Sequence, residues 1–280
     1  MHMIWPWQDR NRSFSPLKAV TFVCLFLPGL WIAYYVVIGE FGAVPLAGMT
    51  FWSGVWATAF LLIALAITPA ISILRWNRLL VIRRMIGVTG FVYTIAHIFI
   101  YFALRFWNFV SIVTEMATRI SLILALISTI GLFALTATSL DSSVKSMGPR
   151  WQRLHNIVYW VTGLALIHFL LSPDIYMQQY LLAGMFFWLM IWRLLRRRGA
   201  DTNAAILTVL AVATSLVTAL LEAGWIWVYQ GFDPVQTLSA NFDLDIGISA
   251  AWYNLAFGLV IALLAAIRRP PGAMRTAADR

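Results

Sequence analysis

Residues 150–172 read RWQRLHNIVYWVTGLALIHFLLS. From His155 to Ser172 the run contains no Asp, Glu, Lys or Arg. As a helix it is long enough to cross a hydrocarbon core of ~30 Å. Seven further stretches share this character or nearly so: Ala19–Ile38, Phe51–Leu74, Met85–Leu104, Ile120–Leu140, Ile175–Trp192, Ala204–Tyr229 and Ile246–Ile267. The reading is therefore an all-α integral membrane protein of about eight transmembrane helices. Composition agrees, with 61% hydrophobic and 11% charged residues against ~45–50% and ~25% in soluble chains. The first run is too long for a signal-peptide core and lacks a small-residue cleavage site, so it is read as retained.

Several function classes drop out. The single cysteine, Cys24, leaves no intramolecular disulfide, c-type haem attachment or thiolate-rich metal site. The sequence shows no glycine-rich phosphate loop and no polar stretch long enough to fold a flavin or nicotinamide domain, so an electron donor is expected to be another molecule.

Basic residues set the orientation. Arg10, Arg12 and Lys18 precede the first apolar stretch, and Arg75, Arg78, Arg83 and Arg84 follow the second. Lys145, Arg150 and Arg153 precede the fifth, Arg193 and Arg196 to Arg198 follow the sixth, and Arg268, Arg269, Arg275 and Arg280 follow the eighth. Thus 18 of the 20 Lys and Arg fall on one side, and only Arg105 and Arg119 fall opposite, beside Glu40, Glu115, Asp174, Asp233, Asp243 and Asp245. Basic loops stay cytoplasmic, which places both termini inside a bacterial inner membrane. The net charge of +9 is an orientation signal, and no nucleic-acid partner is needed to explain it.

Of four histidines, His2 sits in a polar tail and receives no role. His97, His155 and His168 lie within or at the edge of apolar stretches, where ionisable side chains are costly and usually functional. The third and fifth helices both run outward from a basic loop. His97 lies 13 residues after Arg84, and His168 lies 13 residues after His155. At ~1.5 Å per residue both are ~20 Å from the inner boundary. Two neutral imidazoles at one depth on parallel helices are the arrangement that cages a haem iron. The bland alternative is a pair of helix-tying hydrogen bonds. His155 sits at the inner boundary near Arg83 and Arg84, ~140° around a straight helix from His168. It is either a ligand to a second, inner haem or an interfacial histidine bonded to backbone or lipid. Arg83 and Arg84, with Lys145, Arg150 and Arg153, read as topology signals, as anchors for haem propionates or a flavin phosphate, or both. Trp107, Trp151, Trp160, Trp188 and Trp192 fall where interfacial belts belong. Glu222 reads as an interfacial carboxylate rather than a proton or quinone site.

These residues resemble a known family. GVTGFVYTIAHIFIY (Gly87 to Tyr101), LTATS (Leu135 to Ser139) with the double-histidine stretch after it, LPGLW (Leu27 to Trp31) and ITP (Ile67 to Pro69) are similar to the haem-binding membrane subunits of the periplasmic methionine sulfoxide reductase system. That family (MsrQ) lies within the ferric reductase and NADPH oxidase membrane-domain group. The resemblance covers about Leu17 to Arg198. It implies a six-helix, ferric-reductase-like haem core in residues 19–198, behind a cytoplasmic tail of residues 1–18. His97, His155 and His168 fall on the family's ligand positions. Arg83 and Arg84 fall where oxidases of the wider group carry another histidine. FMN, a cytosolic flavin reductase and a periplasmic molybdopterin enzyme that repairs oxidised methionine also come with the resemblance. This chain departs from it in two places. Val44, Ala47 and Phe51 stand where polar or ionisable residues are expected, and residues 199–280 add two membrane helices and a cytoplasmic tail.

The resulting expectation is an electron-transferring subunit of an oxidoreductase containing haem b, with no residue assigned as catalytic. It would carry electrons from a cytoplasmic flavin donor or membrane quinol to a periplasmic reductase, with methionine sulfoxide reductase as the leading acceptor. The alternatives are a haem reductase of ferric chelates, oxygen or quinone, and a haemless transporter or scaffold.

Overall fold

The structure, a computed structural model, describes residues 5–9, 11–172 and 176–268. His2, Arg10, Asp174, Arg269, Arg275 and Arg280 lie outside the described residues. The described residues are helical almost throughout. In chain order the helices are α1 Pro16–Cys24, α2 Leu27–Val37, α3 Pro45–Leu74, α4 Leu80–Leu104, α5 Phe109–Thr118, α6 Ile120–Ala137 and α7 Asp141–Met147. There follow α8 Pro149–His155, α9 Val158–Leu170, α10 Met177–Arg197, α11 Ala204–Gln230, α12 Pro234–Ala240 and α13 Ala250–Arg268.

Among the described residues, six stretches are long and apolar enough to cross a membrane: Pro16–Val37, Pro45–Leu74, Asn77–Leu104, Ile120–Ala137, Ala204–Gln230 and Ala250–Arg268. The protein is a multi-pass, all-helical membrane protein. Two of the eight sequence-predicted spans fall outside that measure. The predicted helix at His155–Ser172 is broken: α8 stops at His155 and α9 begins at Val158, leaving 13 residues. At the break Ile157 and Tyr159 donate to Leu154 and Asn156, three residues back, at 3.0 and 3.4 Å. Asn156, a weak helix former whose amide competes for local hydrogen bonds, also accepts from the Gln152 side chain at 3.0 Å. The other exception, α10, opens on Gln178 and Gln179 and ends in arginines.

The described residues divide into two compact units, one within Met1–Leu65 and Arg78–Pro173, the other within Ala66–Asn77 and Asp174–Arg280. In the first, α6 packs along α9 and against α4 and α5. The buried Ser128 hydroxyl donates to the Val161 carbonyl at 3.0 Å, and Gly131 leaves the space that Val161 fills. Leu61, Leu132, Leu135 and Val161 form the buried apolar cluster there.

The first span bends between α1 and α2 for a specific reason. The helical bond from the Gly29 N–H to the Leu25 carbonyl is replaced by the Tyr93 hydroxyl of α4. That hydroxyl accepts from Gly29 at 2.8 Å and donates to Leu25 at 3.0 Å. Pro28 removes a further donor, so the ladder opens where a side chain can enter it.

The outer segment Arg105–Arg119 contains α5. Phe106, Val110 and Val113 are exposed, while Ile112 is buried. An apolar exposed face on a short helix suits the membrane interface. Glu115 fastens this segment: it accepts from the Tyr101 hydroxyl at 2.7 Å and pairs with Arg105 at 3.0 Å.

In the second unit, α10, α11 and α13 pack on one another. Without a hydrophobic driving force in lipid, helices associate through close approach of small residues and a few hydrogen bonds. Gly184 lies against Asn254 and Thr218, and Asn254 donates to the Leu181 carbonyl at 3.2 Å and to the Thr218 hydroxyl at 3.1 Å. Gly258 lies against Ala211, and a Cβ there would meet the Ala211 Cβ and stand 2.9 Å from its Cα. Gly258→Val should therefore destabilise the protein by about 1–3 kcal/mol, the usual cost of overpacking. The check is a lowered unfolding midpoint in mixed detergent.

Candidate functional site

His97 on α4 and His168 on α9 come together in the first unit, their ring centres 6.5 Å apart and their planes inclined by 76°. Each imidazole is held by a backbone carbonyl of another helix. His97 Nδ1 lies 2.8 Å from the Thr50 carbonyl of α3, and His168 Nδ1 lies 2.9 Å from the Ser121 carbonyl of α6. A carbonyl only accepts, so both Nδ1 atoms carry the proton. Both Nε2 atoms then hold a lone pair, and neither makes a hydrogen bond among the described residues. Neutral imidazole with Nδ1–H on a carbonyl and Nε2 free is the state that ligates a metal.

The spacing fits an iron between the rings. With each His nitrogen about 2 Å from a metal and each ring centre about 1.1 Å behind its nitrogen, the centres would stand roughly 6 Å apart. The observed separation lies close to that figure. Gly54, one turn after Thr50, lets His97 approach α3: a Cβ there would stand 3.1 Å from the ring. Ser53, two per cent exposed, donates to the same Thr50 carbonyl at 3.0 Å. No group of three or more His, Cys, Asp or Glu gathers among the described residues, so the pair has the donor set of a haem rather than of a protein-ligated zinc.

His155 is built differently. It ends α8, and its ring stacks on Trp151 at 3.9 Å. The Thr138 hydroxyl donates to the Ala134 carbonyl at 2.7 Å and therefore accepts from His155 Nε2 at 3.1 Å. Trp151 Nε1 donates to the Thr138 carbonyl at 2.9 Å, which completes a small cap at the end of α6. The break after His155 also removes the straight-helix geometry behind the ~140° separation from His168. The charges of Arg83 and Arg84 act on this imidazole. Arg84 forms an ion pair with Asp141, and Arg83 makes neither ion pair nor hydrogen bond among the described residues. The sequence-predicted residues thus form two groups: His97 with His168, and His155 with Arg83 and Arg84.

Sequence reasoning missed Thr50 and Ser121, because a positioning carbonyl is independent of side-chain identity. Gly54 and Ser53 carry a faint signal as small residues one turn along the same face.

The chain matches the family model described as ferric reductase like transmembrane component over residues 53–166. That range contains His97 and His155 and ends two residues before His168. Among curated relatives, three named protein-methionine-sulfoxide reductase heme-binding subunit MsrQ are similar. The protein from Azospira oryzae is 32% identical over 58% of this chain and 71% of its own length. The protein from Brucella anthropi is 33% identical over 61% and 78%, and the one from Polaromonas naphthalenivorans 30% identical over 68% and 91%. No solved structure matches the chain.

Gly54→Val tests the geometry. It drives two methyl groups toward the His97 ring and should cut the haem retained per protein roughly tenfold, from 1–3 kcal/mol of overpacking. The measurement is haem content against protein, with helical content by circular dichroism unchanged.

Proposed function

Because the chain belongs to the MsrQ family of heme-binding subunits, we propose that it holds a b-type haem between His97 and His168. We further propose that it carries electrons across the inner membrane to a periplasmic methionine sulfoxide reductase. The observation that supports this most directly is the matched pair of imidazoles, each with Nδ1 on a carbonyl and Nε2 left for a metal. A haem there supplies a one-electron centre inside the bilayer. The chain's own residues do the rest. The Thr50 and Ser121 carbonyls hold both tautomers, and α3 and α6 fix the ring directions. His97 and His168 are half-buried, on α4 and α9.

The bias of basic residues supports termini in the cytoplasm, with electrons entering there and leaving outside. The donor is a cytosolic flavin reductase or membrane quinol, and the acceptor is a periplasmic enzyme of the molybdopterin type. His155, Arg83 and Arg84 form an inner anion-binding or second haem site, with an FMN phosphate as the other occupant. Residues 19–198 carry the family's haem-binding part, and the helices after Arg198 are this chain's addition to it.

Four measurements follow from this reading. His97→Ala and His168→Ala should each abolish the low-spin haem spectrum, since one of the two residues that would hold the iron is lost; a full spectrum in both would remove the pair from the site. A reporter fused after Arg280 should behave as cytoplasmic. His155→Ala should leave the outer haem spectrum intact and slow reduction from the cytosolic side. In vesicles reduced by NADH and a flavin reductase, reoxidation should accelerate several-fold on adding the periplasmic reductase with a methionine sulfoxide. Acceleration by ferric chelate or quinone alone would instead identify a reductase of those acceptors.

A further inference from the structure

Within the second unit, the carboxyl ends of α3, α10 and α13 surround a cavity of about 190 Å³. Its polar lining is Ser72, Arg75, Arg196, Asp201, Thr202 and Arg268. Among the described residues, three guanidiniums and one carboxylate line it. None of the three guanidiniums makes an ion pair or hydrogen bond among the described residues. Cations at helix carboxyl ends complement the dipole, which explains one arginine per helix. It does not explain why three of them, with two hydroxyls, line one concavity when Arg197 and Arg198 stand alongside.

Arg75 adds to this. It follows the last residue of α3 with φ +53°, the left-handed position at which helices usually place glycine. A side chain there is strained, and here that side chain lines the cavity. Arginine forks match the oxygens of a phosphate. The cavity lies at the ends of two stretches that are apolar enough to span a membrane, which is headgroup depth. Trp76, beside Arg75, is exposed, and so are the apolar Leu263 and Ile267 that lead up α13 to Arg268. A tryptophan at the interface and apolar side chains below it suit an acyl chain.

We propose that this basin binds the phosphodiester of an anionic phospholipid headgroup, with the acyl chains lying along α13. A zwitterionic headgroup would bring its own cation among the guanidiniums, so the site selects net negative lipid. The proposal concerns the second unit and does not depend on the haem reading.

Native mass spectrometry of the full chain in detergent tests it, with phosphatidylglycerol and phosphatidylcholine as probes. Phosphatidylglycerol should bind more tightly. Arg196→Gln and Arg268→Gln should each weaken it roughly fivefold and the pair about thirtyfold, from about 1 kcal/mol per basic residue. Arg12→Gln, at another basic segment, should change nothing. Asp201→Asn should strengthen binding about fivefold, which provides a readout if the double variant does not fold. Equal binding of the two lipids, or equal loss in Arg12→Gln, would overturn the proposal. Displacement by millimolar inorganic phosphate or by FMN at lower concentration than lipid would show a soluble phosphate site instead and overturn the lipid assignment.

Discussion

Two hydrogen bonds carry the candidate site: His97 Nδ1–H to the Thr50 carbonyl and His168 Nδ1–H to the Ser121 carbonyl. In hydrocarbon, an imidazole N–H without an acceptor costs several kcal/mol, so each ring is bound to its tautomer by the same force that keeps helices hydrogen-bonded. Fixing the proton on Nδ1 determines what Nε2 can do. A carbonyl oxygen has two lone pairs, so each can accept an imidazole N–H beside the helical bond it already accepts. Thr50 lies near the start of α3 and Ser121 is the second residue of α6. Much of the remaining packing of the first unit serves to keep four helices within reach of these two bonds. Ser128 ties α6 to α9, Gly131 admits Val161, and Gly54 admits His97.

The second unit solves the same problem of holding helices together in lipid without a pair of facing histidines. Its contacts rest on Gly184, Gly258, Ala211 and Asn254, where small residues allow backbones to approach and an amide bridges to a carbonyl and a hydroxyl. Each such hydrogen bond contributes about 0.6 kcal/mol, so shape carries most of the association.

Much of this was legible in the sequence. Long uncharged runs and the lopsided distribution of arginine required a helical membrane protein, because lipid admits no other way to satisfy backbone groups on a single chain of apolar segments. The equal depth of His97 and His168 could be counted from Arg84 and His155, and the rings do meet. What could not be read has a common cause. The break at Asn156 and Ile157 depends on a few i→i−3 bonds that compete closely with helical ones, and so the span count and the direction of His155 stayed out of reach. Likewise α5 lies between arginines that read as a loop, while its exposed face becomes visible only once Ile112 is seen to be buried. The supporting carbonyls leave no mark on composition at all.

The Tyr93 hydroxyl in the bend of the first span has a consequence for how the protein is made. It replaces a helical bond between Leu25 and Gly29 from a position 64 residues further along the chain. During synthesis the amino-terminal segments emerge first, so α1 and α2 enter the bilayer before Tyr93 exists. At that stage the Gly29 N–H and the Leu25 carbonyl can satisfy one another, as in an unbroken helix. The hydroxyl can take their place only after α4 has entered beside them. The bend in the first span is therefore a late event of biogenesis, set by the arrival of the same helix that brings His97 into the membrane.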